Sequence, residues 1–241
     1  MIKSKITKFT SFMDGLKNNK KALIALILVD FTMAALSNIV DWPWLMSVDW
    51  YLRPFTPICS LFPLTLAIWF TLKILKKKIP AWYTTFIFIG IISYGIMAYI
   101  YFPIYMAQFV GFGWRTLGNM IWVTIYALQS FIIYSELKPV KLYQFALIVG
   151  YYLFKDYSDR YLGSFIDLLQ PGFPEWLKDF FGLAMITVHL AVITFAAQRL
   201  QFVALYNPAE YPQLADTVLA KNHNPAQTKT NTKEDQHEYR P

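Results

Sequence analysis

The chain has 241 residues, of which 56% are apolar and 15% are charged, and its 22 Lys and Arg against 15 Asp and Glu give a formal net charge of +7. This composition excludes a disordered chain and is unlike that of soluble domains, in which about a quarter of the residues are charged. Because the charges lie almost entirely outside long apolar blocks, the sequence predicts an all-α polytopic membrane protein.

The first 21 residues form a basic segment with an amphipathic pattern. Five apolar residues recur there at helical spacing with lysines between them: Ile2, Ile6, Phe9, Met13 and Leu16. Such a helix is expected to lie on the surface of an anionic bilayer. We therefore predict that residues 1–21 are a cytoplasmic interfacial segment, and that the partner of the basic charge is lipid rather than nucleic acid.

Six apolar blocks follow, each near the ~20 residues that a bilayer-spanning helix needs. They are 22–40, 58–75, 83–102, 117–134, 142–157 and 180–198. We expect helices because lipid offers no partner for backbone N–H and C=O groups. The sequence thus predicts a six-helix transmembrane domain over residues 22–200, whose first helix is a retained signal anchor.

The distribution of Lys and Arg predicts the orientation of these spans. With the N-terminus inside, 17 of the 22 Lys and Arg residues fall in cytoplasmic segments. An even number of spans therefore places both termini in the cytoplasm. The polar segment 201–241 is predicted to be a disordered cytoplasmic tail, and the protein to be a multi-pass protein of the bacterial plasma membrane.

Two ionisable residues lie at the middle of predicted spans, Asp30 in the first and His189 in the sixth. Such groups are costly in hydrocarbon and mark candidate functional sites. One interpretation pairs them as a proton or ion site at the midplane. The alternative is a protonated Asp30 bonded to nearby backbone, with His189 donating to a carbonyl.

The fifth block has only 13 uncharged residues, so its helix must continue through a charged run to reach across the bilayer. Asp156 and Asp159 then share one face, and the spacing allows the pairs Lys155 with Asp159 and Asp156 with Arg160. The two carboxylates are candidates for binding a divalent cation or for acid and base chemistry. The alternative is a helix end that neutralises itself.

Arg115, before the fourth span, is on the same predicted outer side as the charged helix end. It is a candidate contact for an anionic ligand. The alternative is an arginine that extends its guanidinium to the membrane interface.

The run 153–163, Leu-Phe-Lys-Asp-Tyr-Ser-Asp-Arg-Tyr-Leu-Gly, resembles the Asn-Asp-Tyr-x-Asp-Tyr-x-Leu-Gly stretch of the bacterial YpjA-like membrane proteins. Phe55-Thr56-Pro57 and Tyr94-Gly95-Ile96 resemble two further motifs in the same order, and Asp30 stands where a first-span Asn is usual. The residues of this chain that match the motif of the family are Asp156, Tyr157, Asp159 and Gly163. It implies a polytopic membrane fold over roughly residues 22–200 and assigns no activity.

The sequence lacks the signatures of several membrane chemistries. A b-type haem needs two intramembrane histidines, and His189 is the one histidine within a predicted span. Zinc-protease, serine-hydrolase and P-loop motifs are also missing from the sequence. We therefore expect no cofactor and favour a protein that is not an enzyme. The first hypothesis is that the protein transports or binds a small molecule or an ion. The alternatives are an accessory or assembly protein with a membrane-protein partner or a second copy of itself, and a lipid-acting enzyme that uses Asp156 and Asp159.

Overall fold

The computed structural model describes residues 12, 15–56, 60–110, 113–162, 164 and 173–206. Within these residues the fold is all-helical, as predicted, and strands are absent. The six main helices are α1 (Lys20–Ser47), α2 (Leu61–Ile74), α3 (Ala81–Tyr105), α4 (Trp114–Tyr134), α5 (Leu142–Tyr157) and α6 (Glu175–Tyr206).

Four helical segments are long and apolar enough to cross a membrane: Lys20–Ile39, Ala81–Phe109, Leu117–Tyr134 and Glu175–Arg199. The second and fifth predicted spans are also helical, but they are shorter. Helix α2 has 14 residues and α5 has 16, so they measure about 21 and 24 Å against a hydrocarbon core of about 30 Å.

Helix α3 is central and packs against α2, α4, α5 and α6, while α1 packs on α2. Glycines allow the close approaches. A Cβ atom at Gly95 would lie 2.6 Å from the Cβ of Ala127 on α4, and one at Gly90 would overlap the ring of Phe62 on α2. The buried core therefore centres on α3.

The outer faces of the helices expose large apolar side chains. They include Leu28 and Ile39 on α1, Ile121 on α4, Leu147 on α5 and Leu183 on α6. Extended apolar surface of this kind is unfavourable in water and favourable in lipid. This exterior supports a membrane environment for the helices.

One end of the bundle collects basic side chains. Glu136, after α4, forms ion pairs with Lys73 of α2 and with Lys17, with N–O distances of 2.7 and 3.3 Å. Lys76, Lys77, Lys78 and Lys138 lie around the same place. We call this the basic end.

The C-terminal tail does not begin at the predicted residue. Helix α6 continues to Tyr206, so residues 201–206 are helical rather than part of a disordered tail. The sequence stays mostly apolar from Leu200 to Tyr206, so the apolar block continues past the predicted boundary. Most of the predicted interfacial segment and residues 207–241 lie outside the described residues, although residues 15–18 are helical.

Candidate functional site

Helix α5 ends in a cluster of buried polar and charged side chains. The helix continues past Tyr157 into a π-helical turn, Ser158–Leu162, and Lys155, Asp156, Ser158 and Asp159 are all buried. Lys155 Nζ lies 2.6 Å from Asp159 Oδ2, which confirms the predicted i, i+4 ion pair. π-Helical turns of this kind are frequent at functional sites.

Asp159 is fully paired on both of its oxygens. Its Oδ1 accepts a hydrogen bond of 2.6 Å from Ser164 Oγ, which is 3.0 Å from Ser158 Oγ. Ser158 Oγ in turn donates to the carbonyl oxygen of Lys155 over 2.8 Å. A buried ion pair with all its acceptors satisfied fixes the end of α5.

Asp156 and His189 form a second buried pair, which joins α5 to α6. Asp156 Oδ2 lies 2.7 Å from His189 Nδ1, and the two residues are 1% and 5% exposed. Asp156 Oδ1 has no hydrogen-bond partner among the described residues. A carboxylate at one ring nitrogen orients an imidazole, and both members of this pair are groups that can carry a proton.

Tyr152 holds the His189 ring in place. Its ring is stacked on the imidazole with the centroids 4.9 Å apart, and its hydroxyl donates to the carbonyl oxygen of Phe86 over 2.6 Å. Helices α3, α5 and α6 thus meet at His189. The orientation of the imidazole is set by two independent contacts, the carboxylate of Asp156 and the ring of Tyr152.

Asp30 pairs with Gln129 of α4 rather than with His189. Gln129 Nε2 donates to Asp30 Oδ1 over 3.0 Å, and both residues are buried. Asp30 Oδ2 and Gln129 Oε1 lack hydrogen-bond partners among the described residues, and both are acceptors when Asp30 is ionised. A single proton on Oδ2 would supply a donor to this pair. The predicted Asp30 and His189 pair is therefore replaced by two separate pairs, because His189 faces α5.

Asp30 and His189 lie at similar depth in the bundle. Asp30 is ten residues from Lys20, and His189 is ten residues from Arg199, whose guanidinium lies over the ring of Tyr134 at the basic end. At about 1.5 Å per residue, each is about 15 Å from that end. That distance is about half of the ~30 Å hydrocarbon core of a bilayer.

Arg160 points away from Asp156, so the predicted Asp156 and Arg160 pair is wrong. The π-helical turn shifts the register after Tyr157, and the Arg160 guanidinium instead pairs with Asp179 and Glu175 of α6. Its aliphatic stem packs beside Gly182. Arg115 lies in the first turn of α4, and its side chain is outside the described part of the chain.

The donor sets limit how a metal could be held. Asp156 and His189 offer one carboxylate oxygen and one ring nitrogen, while Asp159 is occupied by Lys155 and Ser164. Within the described ranges, no group of three or more His, Cys, Asp or Glu side chains is arranged to hold a metal ion. The Asp156 and His189 pair therefore offers two protein ligands at most.

Sequence reasoning missed Gln129, Ser164 and Tyr152. An amide within an otherwise apolar block is a signal that could have identified Gln129.

Comparisons with protein-family models, with characterised proteins and with solved structures found no match.

Proposed function

We propose that this protein is a multi-pass component of the plasma membrane that transports or binds a small molecule or ion, and that the Asp156 and His189 pair exchanges a proton in that process. The observation that carries the proposal is a buried carboxylate and imidazole in contact, with one carboxylate oxygen unpaired among the described residues. Ionisable groups buried among apolar helices are costly and are commonly found on ion and proton paths.

The contrast between the two buried carboxylates of α5 supports this assignment. Asp159 has a cation and a hydroxyl as partners, as expected of a structural group. Among the described residues, the one hydrogen-bonding partner of Asp156 is the ring of His189. Leaving a buried acceptor without a donor is unfavourable, so Asp156 Oδ1 is a favourable position for an incoming proton.

The proposal includes six spans, with the basic end in the cytoplasm. Helix α5 and its π-helical turn together cover residues 142–162, about 30 Å at helical rise, which supports α5 as a span. The positive-inside rule supports the orientation, since Lys17, Lys73 and Lys76 lie at one end. Membership of the YpjA-like family is part of the same proposal and rests on residues 153–163 and the accompanying motifs.

The second candidate function is a membrane accessory or assembly protein. It is favoured by the Lys155, Asp159, Ser164 and Ser158 network, in which the polar groups only hold α5 in place. Under this function, changes at Asp156 and His189 alter stability alone, and purification returns a constant membrane partner.

Proton flux through reconstituted protein tests the first function. Liposomes containing the full chain and an internal pH dye are given an outward potassium gradient and valinomycin, which make the interior negative and draw protons inward. The internal pH is then followed. We expect faster acidification than in empty liposomes, and a loss of about tenfold or more in Asp156→Asn and in His189→Gln. Asp49→Asn, which removes an exposed carboxylate, should keep the flux.

Folding is checked in the same preparations by size-exclusion chromatography and thermal melting in detergent. If wild-type liposomes acidify no faster than empty ones, the proton-exchange proposal is overturned. It is also overturned if folded Asp156→Asn keeps the full flux.

A further inference from the structure

The basic end contains a cavity of about 560 Å³ that the proposed proton site does not use. It lies between the end of α2, the start of α3 and the turn after α4. Its wall includes five lysines and one carboxylate: Lys73, Lys76, Lys77, Lys78, Lys138 and Glu136. The volume is within the range of small-molecule and headgroup sites.

The single carboxylate of this cavity is already neutralised. Glu136 is bound by Lys73 and by Lys17, with N–O distances of 2.7 and 3.3 Å. Lys76, Lys77, Lys78 and Lys138 have no ion pair within the described ranges. Four like charges around one concave surface create a strong positive potential, which an anion would relieve.

The backbone at Lys76 indicates that the charge is retained at a structural cost. Helix α2 ends in a Schellman motif, in which Lys77 N–H donates to the carbonyl oxygen of Leu72 over 2.9 Å and Lys76 N–H donates to that of Lys73 over 3.0 Å. Lys76 has a φ angle of 54°, in the left-handed region where glycine is usual. A lysine in a glycine position points to a role for its ammonium group.

We infer that this cavity binds a phosphate-bearing anion. The phosphate would sit among the ammonium groups of these four lysines, and the remainder of the ligand would contact the wall formed by Ile79 and Pro80. A phosphate group of this kind can come from an anionic lipid headgroup or from a soluble phosphate compound. Basic pockets between helices at a membrane surface are known to bind lipid phosphates.

Two probes and matched variants test the site in the full chain in detergent. Phosphatidylglycerol and phosphatidylcholine are titrated and the bound lipid is counted by native mass spectrometry, and inorganic pyrophosphate is titrated by calorimetry. Lys77→Gln/Lys138→Gln should weaken binding of the preferred probe by about tenfold. Lys20→Gln/Lys21→Gln removes the same charge elsewhere at the basic end and should change it by less than twofold.

The variant Lys76→Gly tests the contribution of the ammonium group to binding without disturbing the fold. Glycine suits the left-handed conformation, so this variant should melt at or above the wild-type temperature while binding the probe about fivefold more weakly. Selective binding of phosphatidylglycerol identifies a lipid headgroup. Pyrophosphate binding that displaces the lipid identifies a soluble phosphate compound. If neither probe binds, or if the two double variants lose affinity equally, the site is refuted.

Discussion

Gly90 of α3 lies where two aromatic side chains from neighbouring helices come together. A Cβ atom at this position would overlap the ring of Phe62 on α2 and would lie 2.5 Å from the hydroxyl of Tyr152 on α5. The same Tyr152 is stacked on His189. The absence of a side chain at position 90 therefore determines where the proposed proton site can sit.

Gly90→Ala should destabilise the protein by about 1–3 kcal/mol, because the added methyl group overpacks the contact between three helices. Thermal melting in detergent measures the effect. Gly150→Ala is the matched control, since a Cβ atom there meets nothing within 4 Å. That variant should be neutral or slightly stabilising, and an equal loss in both variants would contradict the packing argument.

The Lys155 and Asp159 ion pair should show strong coupling in a double-mutant cycle. Lys155→Met or Asp159→Asn alone leaves a buried group without its partner, at a cost of about 3–5 kcal/mol. The double variant should lose clearly less than the sum of the two single losses. Unfolding by SDS in mixed micelles gives the free energies, and additive losses would show that the two groups act independently.

Spacing within one helix predicted some of these contacts, whereas contacts between helices lay beyond it. The Lys155 and Asp159 pair follows from an i, i+4 relation in a single helix. Asp156 and His189 are 33 positions apart, and Asp30 and Gln129 are 99 apart. Those partners depend on how helices rotate and dock against each other, which hydrophobic patterning alone does not determine.

At the scale of elements, apolar length predicted the helices well and their ends less well. The fifth block begins and ends at the predicted residues, Leu142–Tyr157. The register error at Arg160 arises from the π-helical turn that follows, because hydrophobic spacing does not reveal that one extra residue enters the turn. Helix α6 is longer than its apolar block because polar residues such as Glu175 join its first turn.

Glu136 joins three elements at the basic end, and its contribution should depend on pH. Partial burial raises the pKa of this carboxyl, but the hydrogen bonds and charges of Lys73 and Lys17 outweigh it and hold the pKa below the ordinary 4.5. The stabilisation is therefore complete well above pH 4.5 and is lost as the pH falls through the lower folded value.

Glu136→Gln should accordingly be less stable than wild type at pH 7, by up to about 1 kcal/mol for a partly exposed pair of ion pairs. Melting temperatures of both proteins between pH 7 and pH 3 provide the measurement. The difference should shrink below pH 4.5. A difference that stays constant down to pH 3 would show that the ion pairs do not stabilise the fold.

At the scale of the whole molecule, lysines gather at one end of the helix bundle and large apolar side chains cover its sides. The lysines of the turn after α2 and of the turn after α4 share one cavity, although they are some 60 residues apart in the chain. Helix α1 leads away from this end and α6 returns to it. Large apolar side chains cover the surfaces between the two ends.

Cysteine labelling in cells tests whether this arrangement crosses the membrane as proposed. Cys59 is the single cysteine, so Cys59→Ser provides a background for new cysteines at Lys77, Lys138, Asp49 and Trp176. A membrane-impermeant maleimide should label Asp49→Cys and Trp176→Cys in intact cells, because both lie at the end opposite the lysines. It should label Lys77→Cys and Lys138→Cys only after permeabilisation, because the positive-inside rule places the basic end in the cytoplasm. Labelling of Lys77→Cys in intact cells would show that the basic end faces the outside, contrary to the proposed orientation. If Lys77→Cys and Lys138→Cys were labelled differently, the segment between them would cross the membrane an odd number of times.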